Sequence, residues 1–202
     1  MIVQIIMNNT LTYYGAQSSY GSDIPLACAG IIAKVNMLFF SLVIGISQGL
    51  QPITSYNYGA GNYERVQDSY KKAAAAGIVL SILSFLCFQL FPRQIIGIFG
   101  SGSDEYFRFA EQYFRIFLFF TFVNGLQPIT ANFFTSIGQA GKGVFLSLTR
   151  QIIFLLPLLI IFPMIMGIDG IMYSAPIADF FAAVLAVLFI RKEFRTMTLI
   201  KR

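Results

Sequence analysis

Long apolar runs separated by short polar turns set the pattern of this chain. A bilayer core about 30 Å thick is crossed by roughly 20 apolar residues rising 1.5 Å each. Five stretches reach that length, at approximately 31–54, 74–96, 111–135, 144–166 and 168–190. Residues 1–14 are apolar too, but too short to cross alone, and read as the end of a sixth helix that starts before Met1. The connections are Asn57 to Lys72, Pro92 to Glu105, Gly138 to Gly143 and Gly167 to Gly170, and a basic tail covers 191–202. The pattern predicts an all-α, polytopic membrane protein over 1–202, with about five complete transmembrane helices plus the end of a sixth.

Composition agrees. Hydrophobic residues make up 56% and charged residues 11%, against roughly 25% charged in soluble domains. Too few polar groups remain to cover a water-facing surface. The chain has no His, the usual general base and the commonest zinc ligand. With no nucleophile–base pair or metal-ligand cluster visible, neither an enzyme nor a cofactor or metal centre is expected. Gly59-Ala60-Gly61-Asn62 lacks the Lys-Ser/Thr ending and preceding strand of a phosphate loop. It reads as a flexible turn into a short amphipathic stretch. Cys28 and Cys87 lie in apolar runs and read as buried small hydrophobes.

Charge then orients the chain. Arg65, Lys71, Lys72, Lys142, Arg150, Arg191, Lys192, Arg195, Lys201 and Arg202 fall on one side, and Arg93, Arg108 and Arg115 on the other. This bias places the first side, and the carboxy terminus, in the cytoplasm. The net charge of +5 sits at the ends of apolar runs rather than in a patch, so nucleic acid is not an expected partner. Arg150, near the cytoplasmic end of its span, is expected to snorkel to the interface. Glu111 and Arg115, four residues apart, are expected to pair locally.

The sequence GLQPIT occurs at Gly49–Thr54 and again at Gly125–Thr130, 76 residues later. Both copies fall at the predicted cytoplasmic end of a span, as a repeat of helix pairs would place them. Transporters are often built from such repeats, with substrate sites between them. In the first copy's span Lys34, Ser41, Gly45, Gln48, Pro52 and Ser55 recur on one helical face, flanked by Asn36 and Gln51. A polar face of this kind is costly against lipid and belongs against protein or water. It reads either as a cavity lining or as polar contact between helices. Lys34 reads as a cavity cation or as a snorkelling side chain. The second copy's span carries Asn124, Gln127, Thr130, Asn132 and Thr135. Pro52 and Pro128 each remove an intrahelical hydrogen bond and are hinge candidates or static kinks. Asp179 is the one acid deep in a complete span, a candidate proton carrier or cation ligand, or else a structural acid bonded to a neighbouring helix. Ala175, Pro176, Ala182, Ala183 and Ala186 around it form a packing face, and Ala73, Gly77, Ser81 and Ser84 form another.

The stretch from Gly45 through Thr54 to Ala60, followed by Asn62-Tyr-Glu-Arg-Val66, closely resembles the signature of multidrug and toxic compound extrusion transporters. Asn124–Phe134 with Ser136–Lys142 resembles that family's tenth helix. Gly167–Ile171 with Ala175–Asp179 resembles the start of its twelfth, and Asn8-Asn9-Thr10-Leu11 the exit of its seventh. The resemblance covers nearly the whole chain and is strongest to the bacterial multidrug-exporter branch. It implies a twelve-helix antiporter of two six-helix lobes in the plasma membrane. Entry of H+ or Na+ drives export of small-molecule drugs and toxic organic compounds, often amphipathic cations, by alternating access. This chain resembles the carboxy-terminal lobe, so its implied partners are membrane lipids and the missing amino-terminal lobe. Their polar character within the spans makes Lys34, Asn36, Ser41, Gln48, Gln51, Asn124, Gln127 and Asn132 candidates for the substrate cavity, and its depth makes Asp179 the candidate for ion coupling. The resemblance implies that the complete ion-coupling site draws on the amino-terminal lobe and on the part of the seventh helix before Met1. Two alternatives stay open: a related flippase for lipid-linked saccharides, and a non-transporting membrane fragment or interaction subunit.

Overall fold

A computed structural model describes residues 2–100 and 102–200. Met1, Lys201 and Arg202, used in the sequence reading, lie outside the described residues. The chain runs α1 (Ile2–Ala16), α2 (Asp23–Gly59), α3 (Tyr63–Leu90), α4 (Pro92–Phe99), α5 (Asp104–Phe117), α6 (Thr121–Asn124), α7 (Leu126–Ser136) and α8 (Ala140–Leu148). A π-helical stretch (Thr149–Leu155) joins α8 to α9 (Leu156–Met166), and α10 (Ile168–Ile200) follows. Among the described residues four helical segments are long and apolar enough to cross a membrane: 23–59, 63–90, 140–166 and 168–199. A fifth forms if α5 and the 121–136 segment count as one span bent by 41°. The protein is an all-α, multi-pass membrane protein.

Turn chemistry explains the boundaries. Gly61 adopts φ +72° in the tight link between α2 and α3, a conformation that favours glycine. The link leads directly into α3, so the separate amphipathic stretch expected after it is absorbed into one helix. The apolar run at 74–96 does not continue as one helix. Pro92 lacks an N–H, disfavours helical backbone at Phe91 (φ −123°, ψ 39°) and starts α4 instead. At α5, the Ser103 hydroxyl accepts the Tyr106 N–H at 3.2 Å, and Asp104 and Glu105 fill the first turn, where carboxylates suit the helix dipole.

The run at 111–135 departs most from expectation, since α5 stops at Phe117 and the chain bends before α6. Pro52 leaves α2 continuous, whereas Pro128 lies in the first turn of α7, just after the interruption at Gly125 that separates it from α6, and cannot donate to the Asn124 carbonyl.

Close helix approach sets the interior. A Cβ on Gly77 would lie 2.3 Å from Ile129 Cδ1, and one on Gly125 would lie 2.4 Å from Ser81 Oγ. The small-residue face of α3 therefore packs directly on the second GLQPIT copy, and Ser81 Oγ accepts the Gly125 N–H at 3.2 Å. Phe109, Tyr113, Phe114, Phe133 and Phe134 fill the centre. Outward faces carry Val79, Leu83, Ile160 and Ile165, as a lipid solvent allows. Cys28 is buried, but Cys87 is exposed on an outward face, contrary to expectation. At the far end Glu193, on α10, accepts from Lys142 Nζ at 2.7 Å and from Gln139 Nε2 at 2.6 Å. That pairing ties the tail to the Gly138 turn.

Candidate functional site

The two faces of α2 differ sharply. Val35, Phe39, Val43, Ser47, Leu50 and Thr54 are buried against the helices behind it. Lys34, Ser41, Gly45, Gln48, Pro52 and Ser55 are all exposed. The polar stripe therefore opens away from the body of this chain, among exposed Met37, Leu38 and Leu42. Asn36 and Gln51 are half-buried at its edges.

Two cavities lie behind that stripe. One, of about 380 Å³, is bounded by α1, α2, α5, the π-helical stretch and α10, and its polar lining includes Gln4, Asn36, Arg150 and Gln151. The other, of about 280 Å³, is lined by Gln127, Pro128, Asn132 and Ser147. Phe40, Arg150 and Gln151 belong to both, so these three side chains form the wall where the cavities adjoin. Tyr113 also lines the first cavity, and its hydroxyl and the Asn36 Oδ1 are buried without a hydrogen-bond partner. Unsatisfied buried polar atoms are uncommon and costly, and here they mark a polar lining within a largely apolar chamber.

Arg150 is the charged centre of this region. Its Nε donates to Asp179 Oδ1 at 2.6 Å, and its guanidinium carbon lies 5.3 Å from the centroid of the Phe40 ring. Asn124 Nδ2 donates to Asp179 Oδ2, also at 2.6 Å. Arg150 thus reaches inward to an acid rather than snorkelling to the interface: a buried carboxylate on the next long helix is a better partner than a distant headgroup. Both oxygens of Asp179 are occupied by donors on other elements. The alanines around it, at 175, 182, 183 and 186, are buried and let the helices approach.

The remaining candidates divide. Asn132 donates to Ser47 Oγ and joins α7 to α2 while lining the smaller cavity. Gln127 Nε2 donates to the Leu146 carbonyl at 2.9 Å, a link between α7 and α8. Asn124 serves Asp179 and is absent from both linings. Lys34 also lines neither cavity. Glu111 turns to Arg93, at 3.7 Å, instead of to Arg115. Sequence reasoning missed Arg150, Gln151, Phe40 and Tyr113 as cavity residues. An arginine inside one apolar run and an aspartate inside the next was the available signal.

Comparison with known proteins fits this arrangement. The MatE family profile matches residues 1–161. The multidrug export protein MepA of Staphylococcus aureus strain MSSA476 is 22% identical over 186 residues, covering 92% of this chain and 39% of MepA. The chain therefore spans about two fifths of the curated relatives it matches. An outward-facing multidrug resistance MATE family transporter of the MOP superfamily superposes with a TM-score of 0.86 at 18% identity, over 98% of this chain and 43% of that one. The inward-facing conformation of such a transporter gives 0.84 at 18%, over 98% and 44%. A bundle of membrane-spanning helices with the fold of one transporter lobe, matched by the family profile across most of its length, belongs to the MatE family of multidrug and toxic compound extrusion transporters.

Proposed function

We propose that this chain is one lobe of a cation-coupled multidrug antiporter of the plasma membrane, with its carboxy terminus in the cytoplasm. The observation that carries this reading is the open polar face of α2, running from Lys34 to Ser55, with two part-open cavities beside it, one of them lined by the flanking Asn36. In the complete transporter that face borders a second lobe across a central passage. Amphipathic, often cationic compounds enter between the lobes, and the lobes rock to expose the passage to either side. The near-equal likeness to outward-facing and inward-facing structures supports a lobe that keeps its internal fold while it moves.

The buried pair supports a proton as the coupling ion. A sodium ion at Asp179 has to displace Arg150 or Asn124 from the carboxylate. A proton displaces neither donor, and its uptake works against the ion pair with Arg150. Once Asp179 is protonated, Arg150 becomes a buried cation without its counter-charge, which is strongly unfavourable. That charge stands at the wall of both cavities and repels a cationic drug. Proton entry is thereby linked to drug release. A lipid-linked saccharide flippase fits less well, because among the described residues Arg150 is the one charged residue lining either cavity and Asp179 already neutralises it.

The test is export of a fluorescent cationic dye by cells carrying the complete protein. Gln48→Leu and Gln151→Leu are each expected to lower export at unchanged membrane abundance. Wild-type export by both variants removes the cavity assignment. Gradient-driven dye movement in vesicles that requires the second lobe supports the one-lobe reading. No movement with or without that lobe makes this chain a non-transporting membrane component.

A further inference from the structure

A third cavity, of about 370 Å³, lies away from the α2 stripe. It is formed by the end of α3 (Gln89), the end of α5 and the following bend (Arg115, Phe119, Phe120) and the start of α10 (Tyr173, Ile177), with no residue from α1 or α2. We propose that this cleft holds an acyl chain of an anionic phospholipid whose phosphate rests on Arg115.

The order of residues along the helices supplies a rim and a floor. Tyr173 precedes Ile177 by four residues within α10, about 6 Å along the helix at 1.5 Å per residue, and Arg115 lies two residues before the end of α5, ahead of the bend that carries Phe119 and Phe120. Gln89 sits one residue before the end of α3. Gln89, Arg115 and Tyr173 therefore lie at the membrane boundary opposite the carboxy-terminal tail, with the phenylalanines and Ile177 further in. The floor is aromatic: Phe120 lies 5.4 Å from Phe119 and 5.6 Å from Phe180, centroid to centroid.

Charge decides the occupant. Among the described residues Arg115 forms no ion pair, because Glu111 turns to Arg93. Among the same residues no acid lines the cleft. An uncompensated guanidinium above an apolar floor fits a phosphate above a hydrocarbon chain, and a guanidinium is suited to phosphate geometry. It disfavours a cationic drug. Gln89 Nε2 donates to the Arg115 carbonyl at 3.0 Å, which holds the ends of α3 and α5 together and keeps the cleft formed. The volume lies within the range of small-ligand pockets, roughly 300–1,000 Å³.

Native mass spectrometry of the detergent-purified protein tests the assignment. The probes are a diacyl phosphatidylglycerol, glycerol 3-phosphate (the phosphate without chains) and diacylglycerol (the chains without phosphate). One phosphatidylglycerol is expected to remain bound, and the other two are not. Arg115→Gln is expected to weaken retention roughly fivefold, and Ile177→Trp to abolish it by filling the floor, both at wild-type circular dichroism. Equal retention by wild type and both variants overturns the proposal. Glycerol 3-phosphate bound as well as the lipid overturns it in favour of a bare anion site. Tetraphenylphosphonium that displaces the lipid and binds Arg115→Gln more tightly overturns it in favour of a drug portal.

Discussion

The two copies of GLQPIT have one sequence and two environments. In α2, Gly49, Pro52 and Ile53 are exposed, and a Cβ on Gly49 would meet nothing within 4 Å. In the second copy Gly125, Gln127, Ile129 and Thr130 are buried. There Gly125 is pressed against Ser81 and Gly77, and Thr130 Oγ1 lies 2.7 Å from the Tyr70 hydroxyl. The first copy presents a face to whatever lies beyond this chain, and the second is part of the joint that holds the chain together. Local sequence sets a helical backbone in both. The neighbours set the role.

The largest way to break the comparison acts one residue ahead of the second copy, where Asn124 meets Asp179. Asp179→Leu leaves Arg150 buried and unpaired, and should cost about 3–5 kcal/mol in unfolding free energy measured by SDS titration. Asp179→Leu combined with Arg150→Met should recover most of that loss, since an apolar pair of similar volume avoids the buried charge. Failure of the double variant to recover would make the pair's geometry, rather than its charge balance, the stabilising element.

Next in size is the shared isoleucine. Ile129 is fully buried and Ile53 is 50% exposed. Ile129→Ala should destabilise by about 2–4 kcal/mol through the cavity it leaves, whereas Ile53→Ala should stay within about 0.5 kcal/mol. Equal losses would show that the two copies are equally packed. The glycines follow: Gly125→Ala should cost about 1–3 kcal/mol by overpacking, while Gly49→Ala should be neutral or slightly stabilising in a helix, read as shifts in Tm. The smallest loss expected in the second copy is from Thr130→Val, which removes the buried hydroxyl's bonds to Tyr70 and to the Leu126 carbonyl and should cost about 1 kcal/mol.

Much of the fold was legible because it follows from hydropathy and from proline and glycine. Helix positions, the all-α class and the small-residue packing of Gly77 and Ser81 could be read directly. The bend after Phe117 could not, because Phe117-Leu-Phe-Phe-Thr121 contains no helix breaker. At the candidate site, the polar face of α2 was visible as a helical period. Its openness was not, since periodicity cannot say which face has a neighbour. Asp179 stood out alone, but its partner did not. Arg150 and Asp179 are 29 positions apart, and the charge-bias argument had assigned Arg150 to the interface. The local pairing rule at four residues failed for Glu111 and Arg115 because Arg93 comes within reach of Glu111 only through tertiary structure.

Arg150 occupies the second position of the π-helical stretch Thr149–Leu155. A π turn closes on the fifth residue instead of the fourth. Each such turn takes in one more residue, which rotates everything after it by about 100° relative to an uninterrupted α-helix. The stretch therefore works as a phase shifter in the 140–166 helix: it sets the azimuth of α9 independently of α8. Tightening it to α geometry would turn Arg150 and the downstream apolar face out of step with each other. The same helix could not then keep its arginine on Asp179 and Leu159 in the core.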